Sequence, residues 1–264
     1  MFKALIRWSF CFLAAPVWAQ GQSYTPPKSF TMVVKETTNY YVGERQIRVV
    51  ASEKEGRKIL FLNVHDNENT SVQAVEVLLR DVGGKLIQLQ HTGDRNISFG
   101  LDGKPYVVDP NRIFTDLGIQ KTLQTNSQYA EAAADQVRQF TTALINDYGL
   151  SRSDMIVALH NNTDHQYSVK NYMRGGDMAN DAAKVRYVSG SDEDDFFFVT
   201  NPVFYDKLVQ AGFNVVLQNN ATVTDDGSFS VYCGNKGIPY INVEAEHGHV
   251  ERQVAMIRAV LSLF

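Results

Sequence analysis

The sequence predicts an α/β fold: a single domain with a mixed central β-sheet and helices on both faces. Three observations carry that expectation. Apolar runs of strand length, at 59–62 and 155–159, end abruptly in polar residues, and 240–245 alternates as a strand does. Segments with helical spacing separate such runs, for example Val72, Val75, Leu78 and Leu79, or Ala132, Ala133, Val137, Phe140, Leu144 and Ile145. Hairpin signals near the start interrupt the alternation, so the sheet is expected to be mixed rather than wholly parallel.

A chain of 264 residues with net charge −4 suits one domain with a sizeable core. The mild acidity and the lack of a basic stripe argue against a nucleic-acid partner. Residues 1–19 read as a signal peptide. Lys3 and Arg7 precede an apolar run from Trp8 to Pro16, and Val17-Trp18-Ala19 has small residues where a peptidase would cut, after Ala19. The run is too short to span a bilayer comfortably, so no stable membrane anchor is expected after cleavage. Residues 20–29, with Pro26-Pro27, read as a polar linker, and 30–264 as the domain. A periplasmic or secreted location follows. Cleavage would leave Cys233 as the remaining cysteine, expected to be a buried thiol.

Along the domain, Phe30 to Thr37 and Gln46 to Val50 read as strands around a turn at 39–44. The segment from Lys58 to Leu79 then organises the rest. Ile59-Leu60-Phe61-Leu62 reads as a buried strand, and Asn69 or Thr70 is placed to cap the helix that follows. His65 and Glu68 therefore fall on a strand-to-helix turn, where open α/β sheets bind ligands. An imidazole and a carboxylate three residues apart, joined by a distant histidine, make an open zinc site with a position left for water. A strand at 86–91 and a loop region at 92–110 with short extended pieces follow, and then a helix at 128–148. Met155 to Leu159 reads as a buried strand ending at His160, and 161–195 as an irregular excursion over the site. Beyond it, 196–199 and 213–217 read as strands flanking a helix at 202–211. Segments 228–233 and 240–245 also read as strands, with a closing helix at 250–263. Asp192 to Asp195 reads as a solvated acidic turn, because consecutive acids lack the spacing of a calcium loop. Alternation along 240–246 places Asn242, Glu244 and Glu246 on one face and Ile241, Val243 and Ala245 on the other.

Four pieces stand at predicted strand ends: His65-Asp66-Asn67-Glu68, Asp109-Pro110-Asn111-Arg112, His160, and Glu244. In this order they resemble the zinc carboxypeptidase superfamily, including its succinylglutamate desuccinylase and aspartoacylase branch. That family has a His-x-x-Glu pair, an Asn-Arg pair, a lone histidine and a late glutamate. The resemblance implies that His65, Glu68 and His160 bind one Zn2+ ion, that Asn111 and Arg112 hold a substrate carboxylate, and that Glu244 is the general base. Glu246 remains the alternative base. An arginine that polarises the scissile carbonyl is also implied, with Arg95 the candidate and Lys104 its rival. The chain departs from many relatives in having Asp66 after the first histidine. The implied activity is zinc-dependent hydrolysis of an amide bond beside a free carboxylate, carboxypeptidase-like, on a small peptide. An N-acyl amino acid deacylase and a non-catalytic binding protein on the same fold are the alternatives. Tyr167 and Tyr172 read as packing residues. If the three ligands share an ion, their donor atoms should converge within about 4 Å of one another.

Overall fold

The computed structural model describes residues 32–264. The expected signal peptide and the expected linker at 20–29 both lie outside the described residues. In chain order the elements are β1 (Val34–Val42), β2 (Arg45–Lys54), β3 (Leu60–Asn63), α1 (Asn69–Val82), β4 (Gly84–Gln90), β5 (Ile97–Leu101) and β6 (Lys104–Val108). Next come α2 (Asp116–Asn126), α3 (Glu131–Asp147), β7 (Ile156–Asn162), β8 (Ala182–Arg186), β9 (Phe196–Val199) and α4 (Pro202–Gln210). The chain closes with β10 (Asn214–Gln218), α5 (Phe229–Lys236), β11 (Tyr240–Glu246) and α6 (Val250–Leu261).

Among the described residues, nine strands form one sheet in the order β1-β2-β4-β3-β7-β11-β9-β10-β8. Its centre is parallel, through β4, β3, β7 and β11. The β1–β2, β2–β4, β11–β9 and β10–β8 pairs are antiparallel. The sheet is therefore mixed. Helices cover both faces, and each face has its own core. On one side Ile119, Val137, Phe140 and Phe229 pack over Leu62, Ile156 and Tyr240. On the other, Val75, Leu78, Met256 and Ile257 pack over Phe61, Val157, Ile241 and Val243. The central strands are buried on both faces, which is why they read as apolar runs. Among the described residues, no helix is long and apolar enough to cross a membrane.

Several local expectations are corrected. The entry hairpin turns tightly at Gly43-Glu44, with Tyr40 already paired to Ile47, because Val42 and Ile47 are both drawn into the core. The first helix begins at Asn69, and neither Asn69 nor Thr70 caps it; Glu68 is the flanking residue and makes no side-chain cap. The Thr70 hydroxyl instead accepts the Gly248 N–H at 2.9 Å. The loop region at 92–110 contains a two-stranded hairpin, β5–β6, turning at Asp102-Gly103, both with positive φ. Helix α2 was not anticipated; it is capped by Thr115, whose hydroxyl accepts the Gly118 N–H. The expected strand at 228–233 is helix α5. Ser228 caps its start through the Val231 N–H, and Gly237 ends it in the left-handed conformation. Finally, Asp194 and Asp195 are buried rather than solvated. Asp195 pairs with Arg252 at 2.8 Å, and Asp194 accepts the His165 N–H at 2.8 Å.

Candidate active site

Strands β3, β7 and β11 run parallel, so their carboxyl ends open at one edge of the sheet. His65 lies just beyond β3, His160 near the end of β7, and Glu244 pairs in register with His160 across β7–β11. This topology brings residues far apart in sequence to one place.

The Nδ1 atoms of His65 and His160 are 3.2 Å apart. Glu68 completes the triangle, with Oε1 2.8 Å from His65 Nδ1 and Oε2 3.0 Å from His160 Nδ1. All three residues are buried. The expected convergence within about 4 Å is thus present in the geometry. His65 is oriented from behind: its Nε2–H donates to Asp109 Oδ1 at 2.9 Å, which leaves Nδ1 to face the cluster. Asp109 is itself fixed, since the same oxygen accepts the Asn111 N–H at 2.8 Å.

The donor set fits zinc. Two nitrogens bound tetrahedrally at about 2.0–2.1 Å lie about 3.3 Å from each other, close to the spacing of the two imidazoles here. Two nitrogens and a carboxylate, with a carboxylate hydrogen-bonded behind one imidazole, are the ligand types and support that such sites use. Burial works against the His65 imidazolium, but Glu68 and Asp109 outweigh it, and its pKa lies above the ordinary value. Burial likewise favours the neutral Glu68 and Asp109 carboxyls. His65 and His160 around Glu68, and His65 beside Asp109, reverse that and hold both well below the usual carboxylate range.

Arg95 reaches into the same cluster from the loop before β5. Its Nη1 donates to Glu68 Oε1 at 2.5 Å, and Nη2 lies 3.8 Å from Asp109 Oδ2. Its side chain remains half exposed and lines the cavity in front of the cluster. Lys104, the rival, is exposed on the β5–β6 hairpin and does not line that cavity.

Asn111 and Arg112 stand on a short 3₁₀ turn, Pro110–Arg112, capped by Asp109. Asn111 Oδ1 accepts the Phe229 N–H at 3.2 Å, tying the turn to the start of α5. The Arg112 guanidinium is fixed at one end by Asn111 O at 3.0 Å and faces Asp226 Oδ2 at 3.4 Å. Beneath it α2 approaches so closely that a Cβ on Gly118 would lie 2.1 Å from Gly227 Cα and 2.7 Å from Arg112 O. Glycine is required there by contact, not by backbone conformation.

Glu244 is buried and lines the cavity with Glu68, His160 and Arg112. The Asn242 amide donates to its Oε1 at 2.9 Å. Burial pushes the Glu244 carboxyl above its ordinary pKa, and the nearby Glu68 adds to this, while His160 opposes it. Glu246 sits elsewhere: it contacts His249 at 3.2 Å and does not line the cavity. The alternation along β11 is as expected, with Ile241, Val243 and Ala245 in the opposite core.

Sequence reasoning does not assign four contributors. Asp109 was in view beside Asn111 and Arg112, but its contact with His65 is tertiary. Tyr167 and Tyr172, expected as packing residues, do pack on Phe196, yet they also line the cavity with hydroxyls 2.5 Å apart. Asn242, two residues before Glu244, was recognised only as a neighbour on the same strand face.

No protein-family model matches the chain, and no curated protein matches it in sequence. Solved structures do resemble it. One is a succinylglutamate desuccinylase/aspartoacylase from Rhodobacter sphaeroides, 14% identical, covering 88% of this chain and 65% of that one, with a TM-score of 0.43. The chain thus spans just under two thirds of that protein's length. Another is the murein-tripeptide amidase MpaA from Escherichia coli O157, 13% identical over 85% of this chain and 91% of that one, TM-score 0.43. A third is a metallo-carboxypeptidase from Burkholderia cenocepacia, 11% identical over 86% and 63%, TM-score 0.43. All three are likenesses of structure at low identity.

Proposed function

We propose that this protein is an exported zinc-dependent hydrolase that cleaves an amide bond next to a free carboxylate, carboxypeptidase-like, on small peptides such as those of a cell wall. The observation that carries the reading is the convergence of His65, Glu68 and His160 on one point, with Glu244 and Arg112 on the walls of the same cavity. Bound by His65, Glu68 and His160, zinc would polarise a carbonyl and bring the pKa of a water toward neutrality. The chain's own residues do the rest. Glu244, a buried carboxyl of raised proton affinity, takes a proton from the attacking water and passes it to the leaving amine nitrogen. Asn242 holds that carboxylate in place. Arg112, with Asn111 beside it, receives the free carboxylate of the substrate and so sets which bond reaches Glu244. Arg95 stands beside Glu68, where a guanidinium can donate to the oxygen of a scissile carbonyl. Export rests on the charged and apolar pattern of residues 1–19 and the Ala19 cleavage site.

N-acyl amino acids also combine an amide with a free carboxylate, and the same residues would serve them. The test is metal analysis of the purified protein, followed by hydrolysis of peptide pools and N-acyl amino acid pools with and without a chelator. Chelator-sensitive release of C-terminal residues from peptides supports the proposal. Release from the N-acyl pool alone assigns a deacylase, and activity indifferent to chelation removes the zinc mechanism.

A further inference from the structure

Glu68 and His160 lie far apart in the chain, yet a buried run of hydrogen bonds joins their backbones behind the cluster. Val157 and Leu159 of β7 point into the core under α1 and α6, and Asn161 follows them onto that face. There its Oδ1 accepts the Ser71 N–H of α1 at 3.0 Å. Its Nδ2 donates to the Ala245 carbonyl at 3.2 Å and to Gln253 Oε1 of α6 at 2.8 Å. Gln253 Nε2 then donates to the carbonyl of His160 itself at 3.0 Å. At the other end the Ser71 hydroxyl donates to the Glu68 carbonyl at 2.8 Å. Asn63 Nδ2 adds longer contacts to that carbonyl at 3.4 Å and to Ser71 Oγ at 3.3 Å.

Backbone groups fix the direction of each bond. The Ser71 N–H only donates, so the Asn161 oxygen must face it. The Ala245 and His160 carbonyls only accept, so both amide nitrogens must face them. Asn161 thereby uses its oxygen and both of its N–H groups. Gln253 and Ser71 are fully buried and Asn161 nearly so, which makes any unpaired member costly. Strand pairing does not replace this run. β3 pairs with β7 only as far as Ala158, so beyond that residue the β3 side of β7 is left to other partners.

We propose that Gln253, Asn161 and Ser71 act together as positioning residues for the metal site, setting where His160 stands relative to Glu68. This rests on the zinc reading above. Helix α6 thereby supports the site although, among the described residues, it lends none to the cavity wall. Zinc ligands must stand within about 0.2 Å of their ideal distances. A small shift of the His160 carbonyl against the Glu68 carbonyl therefore reaches the ion.

Three variants test this. Gln253→Met keeps length and burial but leaves the His160 carbonyl and one Asn161 N–H unpaired. Ser71→Ala removes only the hydroxyl on Glu68, in a helix that tolerates alanine well. Met256→Ala opens the core under α6 without touching the run and is the control. Zinc affinity, read by competition with a chromophoric chelator, should fall at least about tenfold in Gln253→Met, the scale for losing such a support, and less in Ser71→Ala. The visible absorption bands of the cobalt-substituted protein should shift in both. Met256→Ala should lower Tm and leave affinity and bands as in the wild type. In the metal-free protein, the imidazole NMR resonances of His160 should move in Gln253→Met and Ser71→Ala and stay in place in Met256→Ala. If Gln253→Met does not fold, Ser71→Ala carries each comparison. Unchanged affinity, bands and His160 resonances in the folded variants overturn the inference, as does an equal loss of affinity in Met256→Ala. A wild-type protein that takes up neither zinc nor cobalt sinks the zinc reading, and the His160 resonances then decide the inference alone.

Discussion

His65 Nδ1 and His160 Nδ1 face each other at 3.2 Å, and both also reach the Glu68 carboxylate. Two imidazole nitrogens that both held protons would repel. Glu68 is a partner to both, and a cation held by all three would relieve that repulsion. The predictions below follow from that arrangement and from what surrounds it.

Metal uptake should release protons. The His65 pKa is raised by Glu68 and Asp109 against its burial, so near neutrality this imidazole carries more proton than a free one. Zinc affinity should therefore rise with pH across roughly pH 6 to 8. Calorimetry in buffers of different ionisation enthalpy should show net proton release; a pH-independent affinity would contradict the assignment of His65.

The metal-free protein should show the opposite dependence in its stability. A raised His65 pKa contributes stability that is present below its unfolded value, about 6.5, and lost as pH rises through the folded value. Lowered Glu68 and Asp109 values contribute stability that is present above about pH 4–4.5 and lost as pH falls. Thermal unfolding with chelator should thus give a higher Tm near pH 5.5 than near pH 8.5, and saturating zinc should reverse the order.

Asp109→Asn removes the charge behind His65 while keeping an acceptor for the Asn111 N–H. Zinc affinity should drop about 10- to 100-fold, the usual cost of losing such a support. Competition with a chromophoric chelator measures it, with circular dichroism to confirm that the fold is retained.

Glu244→Gln keeps shape but removes the proton acceptor. Turnover should fall by about 100- to 10,000-fold with zinc content unchanged. Glu246→Gln should leave turnover within a few fold, because Glu246 lies outside the cavity beside His249. The reverse pattern would exchange the two acids.

Arg112→Ala should act on recognition. KM for substrates with a free carboxylate should rise by roughly 10- to 100-fold, the scale of a lost charge-assisted hydrogen bond, with little change for amidated ones.

Much of the site could be read from the chain because its residues stand at the ends of apolar runs. Buried on both faces, β3 and β7 announce themselves as apolar runs and β11 by its alternation, and His65, His160 and Glu244 stand where these strands meet the binding edge. Other features were hidden for physical reasons. Phe229-Ser-Val-Tyr-Cys has β-forming composition, yet its capping by Ser228 and Gly237 and its packing against Phe114 and Tyr240 make it helix α5. Helix α2 has only a weak apolar stripe, and Thr115 was its chief local signal. The support that Asp109 gives His65 and the burial of Asp194 and Asp195 depend on contacts between distant segments, which local pattern does not encode.

The central claim is that His65, Glu68 and His160 form one zinc site, and the most direct test is the metal stoichiometry of purified wild-type and His160→Ala proteins after dialysis against trace zinc. The account predicts one tightly held zinc per wild-type chain and essentially none in His160→Ala. A wild-type chain that holds no zinc, or a His160→Ala chain that still holds one, would contradict it.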